Sequence, residues 1–307
     1  MALTPALHAS ALRFLPPESD VTSSSHWKLV RAYQHLMGLD AEIDTWLQSD
    51  PWATRTEFDT QMGKYRVYID LLVSVPDEFS LIIGDFLQNL RAVLDHMVHE
   101  LGERHLGRPL TDKEARDSMF PIYCDKPLPP QESVRRLGSI DPAKKAAIEQ
   151  LQPHTRSDTQ YDFLCDLSEL ANRDKHRAVN VAIAYAGGHR LSALDGGDTA
   201  FGGVNGPRIH FTAGASIALG GTTQLTADTS GVEPLVGEIT ESGTEVLRYA
   251  PTIIVGGDPV HMRVDPLPPI LTLASRQKFI QQTVPTVVSC EFLWRYVART
   301  WRDLRMP

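Results

Sequence analysis

Apolar residues return every three or four positions over four long stretches, 23–49, 77–104, 159–177 and 275–304, the spacing that one buried helix face requires. In the first, Trp27, Val30, Tyr33, Leu36, Met37, Ile43 and Leu47 carry the stripe behind Ser23, Ser24 and Ser25, which can cap a helix. Pro76 and Asp77 open the second, and Gly107 with Pro109 ends it. The third runs through Phe163, Leu164, Leu167, Leu170 and Ala171, the fourth through Phe279, Val284, Val287, Val288, Phe292, Tyr296 and Trp301. Elsewhere the period shortens. TRTEFDT and KYRVYIDLLVSV flank Gln61, Met62 and Gly63, β-branched and aromatic sequence around a glycine turn, which predicts a hairpin over 53–75. From 178 onward the runs VNVAIAYA, RIHFTA, ASIAL, TQLTA, EVLRYAPTIIV and HMRVDPL are separated by glycine-rich turns, as in an antiparallel sheet. Residues 105–158 are irregular, with PLPP at 127–130 and a short helix predicted over 141–152.

The pattern predicts an α+β protein: a bundle of about four long helices with an antiparallel sheet added on one side. Its parts are an N-terminal arm over 1–22, the bundle with its hairpin over 23–177, a β-rich insertion over 178–270, and a C-terminal helix over 275–307 that returns to the bundle. No internal repeat is visible. The glycines of GGDTAFGGVNG lack the strand, spacing and following helix of a phosphate loop and read as low-complexity loop.

A net charge of -8 and a pI near 5.8 exclude a broad electrostatic nucleic-acid surface and leave room for a local basic cleft. Cys124, Cys165 and Cys290 are odd in number, widely spaced and without a metal-ligand pattern, so the sequence predicts free buried thiols and a reducing cytoplasm. The N-terminus has no basic start before a long apolar run, and no segment approaches 18 uninterrupted apolar residues, so neither export nor membrane insertion is expected.

Candidate chemistry concentrates on GDFLQNLRAVLDHMVHEL, residues 84–101. Leu87, Leu90, Leu94, Met97, Val98 and Leu101 make one apolar stripe with Arg91 at its edge, and Asp95 lies one turn on, at the spacing of an intrahelical ion pair. His96 stands about 140° round from Arg91 and is flanked by Asn89, His99 and Glu100. Imidazole moves protons near neutral pH and guanidinium grips phosphate, so Arg91 and His96 make a phosphodiester toolkit, while a solvated polar face is the plainer alternative. A second cluster is NRDKHR, 172–177. Helical phase puts Asp174 on the apolar face, where it needs a cationic partner, Arg177 or Arg91. Lys175, His176 and Arg177 form a basic rim for an anionic ligand. Asp95 with His99, and His96 with Glu100, have the spacing that lets two ligands share an ion, with Asp174 or His176 to complete a set. There is no HExxH and no pair of Glu-x-x-His elements, so no metal or cofactor is expected. No G-x-S-x-G turn signals a serine hydrolase.

Arg91 and His96 in LRAVLDH resemble the Arg-x-x-x-x-His element of HEPN domains, the higher eukaryote and prokaryote nucleotide-binding helical bundles. That resemblance implies a helical domain acting on RNA or nucleotide. In many members it is a metal-independent RNase of toxin, defence or RNA-processing systems, with Arg91 and His96 as working residues contributed across a homodimer. Ala92 departs from the pattern, since the family often has a polar residue after the arginine. LQNLRAVLDHMVHEL and LSELANRDKHRAV are also similar to segments of uncharacterised bacterial proteins, a likeness that implies no activity. Two other classes stand beside the RNase: a non-catalytic interaction or accessory protein, and a metal-dependent helical-bundle enzyme.

Overall fold

The computed structural model describes residues 23–124, 126–155, 162–176, 181–185, 189–193, 210–211, 216–219, 223–228, 232–235, 237–239, 241–250, 252–255, 258–266, 269–273 and 286–305. The arm over 1–22, Arg177 and most of the glycine-rich loop lie outside them. The protein is α+β, and its chain divides into two compact units. One comprises residues 1–47, 75–181 and 272–307, the other 48–74 and 182–271.

Helices dominate the first unit. α1 spans Ser24–Leu47, α2 Asp77–Leu106, α3 Asp112–Asp117, α4 Pro130–Leu137, α5 Pro142–Gln150, α6 Phe163–His176 and α7 Thr286–Arg305. α2 packs against α1, α6 and α7, and α1 also packs against α7. Its ends follow from local chemistry. Asp77 and Glu78 sit in its first turn and Arg104 and His105 in its last, each sign where the helix dipole favours it. Gly107, at φ 66°, then adopts the left-handed conformation that stops the helix and sends its N–H to Glu103 O at 2.9 Å.

The core of this unit is a set of fully buried side chains: Leu29 and Leu36 of α1; Ile83, Leu87, Leu90 and Leu94 of α2; Leu164, Leu167 and Leu170 of α6; Trp294 of α7. Each is worth about 1.5–3 kcal/mol for leaving water. Trp294 also donates its indole N–H to Leu29 O at 3.1 Å, which removes the polar cost of burying it. Among the described residues no helix is long and apolar enough to cross a membrane.

Strands make the second unit. β1 (Trp52–Asp59) and β2 (Lys64–Leu71) form the hairpin expected around Gly63, whose φ of 64° supplies the turn. Although the hairpin interrupts the helical stretch in sequence, it belongs to the second unit, where β2 pairs with a strand over residues 244–249. The later strands are β3 (Val181–Tyr185), β4 (His189–Ala193), β5 (His210–Phe211), β6 (Ser216–Leu219), β7 (Thr223–Asp228), β8 (Val232–Pro234), β9 (Gly237–Ile239), β10 (Thr244–Tyr249), β11 (Thr252–Val255), β12 (Asp258–Pro266) and β13 (Ile270–Leu273). They form an antiparallel four-stranded sheet β1-β2-β10-β8, an antiparallel six-stranded sheet β5-β4-β12-β11-β7-β6 and a three-stranded sheet β13-β3-β9.

The thiol expectation needs correction. Cys124 and Cys165 are joined in a disulfide, with Cα atoms 5.7 Å apart. Residues 118–124 run back across α2 to the start of α6 and bring together two cysteines that are 41 residues apart in sequence, a proximity that spacing does not encode. The cysteine count therefore lends no support to a reducing compartment. Cys290 is a buried thiol, and burial pushes its pKa up to about 12.

Candidate functional site

α2 carries most of the chemistry the sequence offers, and its neighbours divide that chemistry between two flanks. At 100° per residue Gly84, Gln88, Arg91 and Asp95 fall along one flank, while His96 and Glu100 fall on another.

On the first flank Arg91 and Asp95 act as one group. Arg91 gives Nε–H to Asp95 Oδ2 at 3.2 Å and Nη2–H to Asp95 Oδ1 at 2.9 Å. Nη2 also donates to the carbonyl of Phe120 at 2.6 Å, and the amide of Phe120 donates to Asp95 Oδ1 at 2.9 Å. The ion pair thus holds both backbone groups of one residue, much as a neighbouring strand would, and fixes a connection whose Phe120 ring is fully buried. Gln152 continues the hold. Its side chain accepts from Tyr123 N at 3.1 Å and donates to Pro121 O at 2.9 Å.

One turn earlier on the same flank, Gln88 reaches α6. Its amide donates to Ala171 O at 2.9 Å and to Asp174 Oδ2 at 3.0 Å. The expectation of a buried Asp174 bonded to Arg91 or Arg177 is therefore corrected on its burial and on Arg91. Asp174 is half-buried, its partner is an uncharged amide, and Arg91 is committed elsewhere. Arg177, the other expected partner, lies outside the described residues. What permits this geometry is Gly84. A Cβ on that residue would lie 2.2 Å from Asp174 Oδ1, so the carboxylate occupies the space a side chain would fill.

The other flank meets the start of α1 and the end of α7. His96 Nδ1 is 2.9 Å from Ser24 Oγ. Glu100 accepts from Ser25 N at 2.9 Å, Ser25 Oγ at 2.6 Å and Ser24 Oγ at 3.2 Å, so a carboxylate from α2 caps α1. Arg305 then neutralises it, donating to Glu100 Oε2 at 2.7 Å and to Ser23 Oγ at 2.6 Å. Trp301 donates to Ser25 Oγ at 2.8 Å and carries the Arg305 guanidinium 4.9 Å above its ring. His26, buried against Trp301, has its pKa lowered first by burial and then by the Arg305 charge. Trp27, next in sequence, is 59% exposed. Arg104 donates to Arg305 O at 3.4 Å, and Arg299, its side chain 73% exposed, and Arg302 lie on the last turns of α7.

Several candidates thus separate. Arg91 and Asp95 meet each other, Asp174 meets Gln88, and His96 turns to α1. Asn89 donates to its own helix at Asp85 O, 2.7 Å, and His99 faces Glu103 at 3.9 Å. Lys175 is exposed, while the side chain of His176 lies outside the described residues. Among those residues no three His, Cys, Asp or Glu side chains gather to hold a metal ion. Sequence reading missed Gln88, Arg305, Trp301 and the capping role of Glu100. Only the run Ser23, Ser24, Ser25 signalled the cap, because the carboxylate comes from about 75 residues away. Compared with known proteins, the chain matches no family model, no curated protein and no solved structure.

Proposed function

We propose that this chain is a non-catalytic, HEPN-like RNA- or nucleotide-binding protein. In this reading Arg91 holds the fold together, and the anionic ligand lies against the bundle end where α1 begins and α2 and α7 finish. The observation that carries the reading is the guanidinium of Arg91, committed to Asp95 and to the Phe120 carbonyl. A group spent on fixing a connection is not poised to stabilise a developing oxyanion, and His96 lies on another flank of the helix. The bundle end offers what binding needs. An exposed aromatic, Trp27, stands on the first turn of α1, and Arg299 and Arg302 lie on the last turns of α7, where they share Asp303 at 3.6 and 3.2 Å, an exposed carboxylate that a phosphate has to displace.

A second reading is the metal-independent RNase assembled by two chains, with Arg91 and His96 as its pair. It is favoured by the half-buried His96 imidazole, which already lies 2.9 Å from a hydroxyl. One experiment separates the two: fluorescence anisotropy of a labelled single-stranded RNA in the presence of a chelator, with the same samples run on a gel. Binding that weakens steeply with salt, falls by about tenfold in Trp27→Ala and in the Arg299→Glu/Arg302→Glu pair, and leaves the RNA intact supports the binding reading. RNA cut by wild type and not by His96→Ala establishes the second reading. No binding across varied sequences removes the first.

A further inference from the structure

β1 is the outermost strand in the order β1-β2-β10-β8, and Ala53 to Phe58 are exposed on both faces of the strand. Edge strands are normally blunted by charged side chains, a proline, a bulge or a covering segment, since a bare edge templates another strand. Trp52–Asp59 contains no proline, its pairing with β2 runs unbroken from Trp52↔Leu71 to Asp59↔Lys64, and its charges, Arg55, Glu57 and Asp59, are of both signs, so they repel a second strand in some registers and attract it in another. The ladder also shows which residues point outward. Leu72 donates to Pro51 O at 2.9 Å, so that pair is hydrogen-bonded, and the bonded pairs of an antiparallel ladder alternate. Ala53, Arg55, Glu57 and Asp59 therefore bond inward to β2, while Trp52, Thr54, Thr56 and Phe58 turn their N–H and C=O groups away from the sheet.

We infer that a second copy of this chain adds its own β1 to this edge, antiparallel about a two-fold axis through Thr56, so that two four-stranded sheets become one continuous sheet. Charge selects the register. Centred on Thr56, the outward groups of Thr54, Thr56 and Phe58 all find partners, in about six backbone hydrogen bonds, and Arg55 faces the partner's Glu57 on each side of the axis. Centring on Arg55 or on Glu57 sets like charges directly opposite each other. Centring on Phe58 sets Glu57 against the partner's Asp59, and centring on Thr54 leaves Arg55 opposite the partner's Ala53 with a shorter overlap. The charges are already in place. Arg55 is held on its face by Glu57, by Asp70 at 3.2 Å and by the ring of Tyr68 at 4.6 Å. On the other face Phe58, 48% exposed and resting on Tyr65, would lie against the partner's Thr54.

The test is sedimentation analysis of the full chain from about 1 to 100 µM, the range suited to a small interface. Wild type is expected to dimerise. Glu57→Arg and Arg55→Glu each set like charges across the seam, and each is expected to weaken self-association by about tenfold or more. An equimolar mixture of these two variants restores opposite charges at every facing pair and is expected to form a heterodimer. Thr56→Pro removes an N–H that the hairpin itself does not use, so the far-ultraviolet spectrum is expected to hold while the dimer is lost. Should that variant misfold, the charge-swap mixture decides alone. A wild type that stays monomeric throughout overturns the inference, as does a dimer that both charge variants leave intact. Neither outcome touches the RNA-binding reading, which rests on the other unit.

Discussion

Replacing Gly84 with alanine tests the packing of α2 on α6 through one methyl group. In a helix interior the change alone gains about 1 kcal/mol, because alanine loses less backbone freedom than glycine. Here the new Cβ lands 2.2 Å from Asp174 Oδ1 and 2.8 Å from its Cγ, separations no real contact sustains. The carboxylate has to move by about 1 Å or more, and Asp174 is too short a side chain to do so while keeping its 3.0 Å bond from Gln88. Loss of a hydrogen bond to a charged acceptor costs about 1.5–3 kcal/mol, so the net expectation is a destabilisation of about 0.5–2 kcal/mol. The sign should reverse when the obstacle is removed. In an Asp174→Ala background the methyl has room, and Gly84→Ala is expected to stabilise by about 0.5–1 kcal/mol. Urea unfolding followed at 222 nm reads the helical unit, and the four proteins form a double-mutant cycle. If Gly84→Ala is neutral or stabilising in the wild-type background, or shifts stability equally in both, the contact does not carry the packing described.

Three further outcomes follow from the same geometry. Asp166 is 1% exposed, its oxygens have no hydrogen-bond partner among the described residues, and burial, followed by the charges of Glu169 and Asp162, pushes its pKa up to about 7. Between about pH 4 and 7 the folded chain therefore keeps a proton that the unfolded chain has released. Stability should fall as pH rises, by about 2–3 kcal/mol from pH 5 to 8 relative to Asp166→Asn; parallel pH profiles for the two proteins would contradict this. The Cys124–Cys165 bridge closes a loop of 41 residues, worth about 4 kcal/mol by chain entropy, so reductant should lower the urea midpoint. Thiol titration of the unfolded oxidised chain should find Cys290 alone, and three reactive thiols without reductant would refute the bridge. Asp174→Ala should cost about 1.5–3 kcal/mol, the hydrogen bond from Gln88 with no charge stranded; a loss above about 4 kcal/mol would point to a buried cation after all.

Local signals in the sequence were dependable where a residue's neighbours in the chain decide its state. Pro76, Asp77 and Gly107 bounded α2 because caps and left-handed turns are set within a few residues, and Gly63 marked its hairpin for the same reason. The apolar stripe of α2 likewise named its core face, since Leu87, Leu90, Leu94 and Met97 are fully buried. What the sequence could not disclose is which distant segment meets each flank. Arg91 and Asp95 were recognisable as a pair one turn apart, but their hold on Phe120 depends on where residues 118–121 run. Phase set Asp174 on the inner face of α6, and of its two expected partners Arg91 is committed to Asp95 and Phe120 while Arg177 lies outside the described residues. The partner is set by Gly84, whose missing side chain lets the carboxylate settle beside Gln88. The hairpin was legible as a hairpin, yet its membership of the β-rich unit rests on β10, which pairs with β2 across most of the chain.

The most direct test of the account is Arg91→Ala, measured for both thermal stability and RNA affinity. If Arg91 holds the connection at Phe120, the variant should lose about 2–3 kcal/mol of stability, because the buried backbone of Phe120 and Asp95 lose a charged partner. Its folded fraction should still bind single-stranded RNA within about twofold of wild type, a difference of under half a kcal/mol. A variant that keeps its stability and loses RNA binding or RNA cleavage would contradict the account and place Arg91 at the working site.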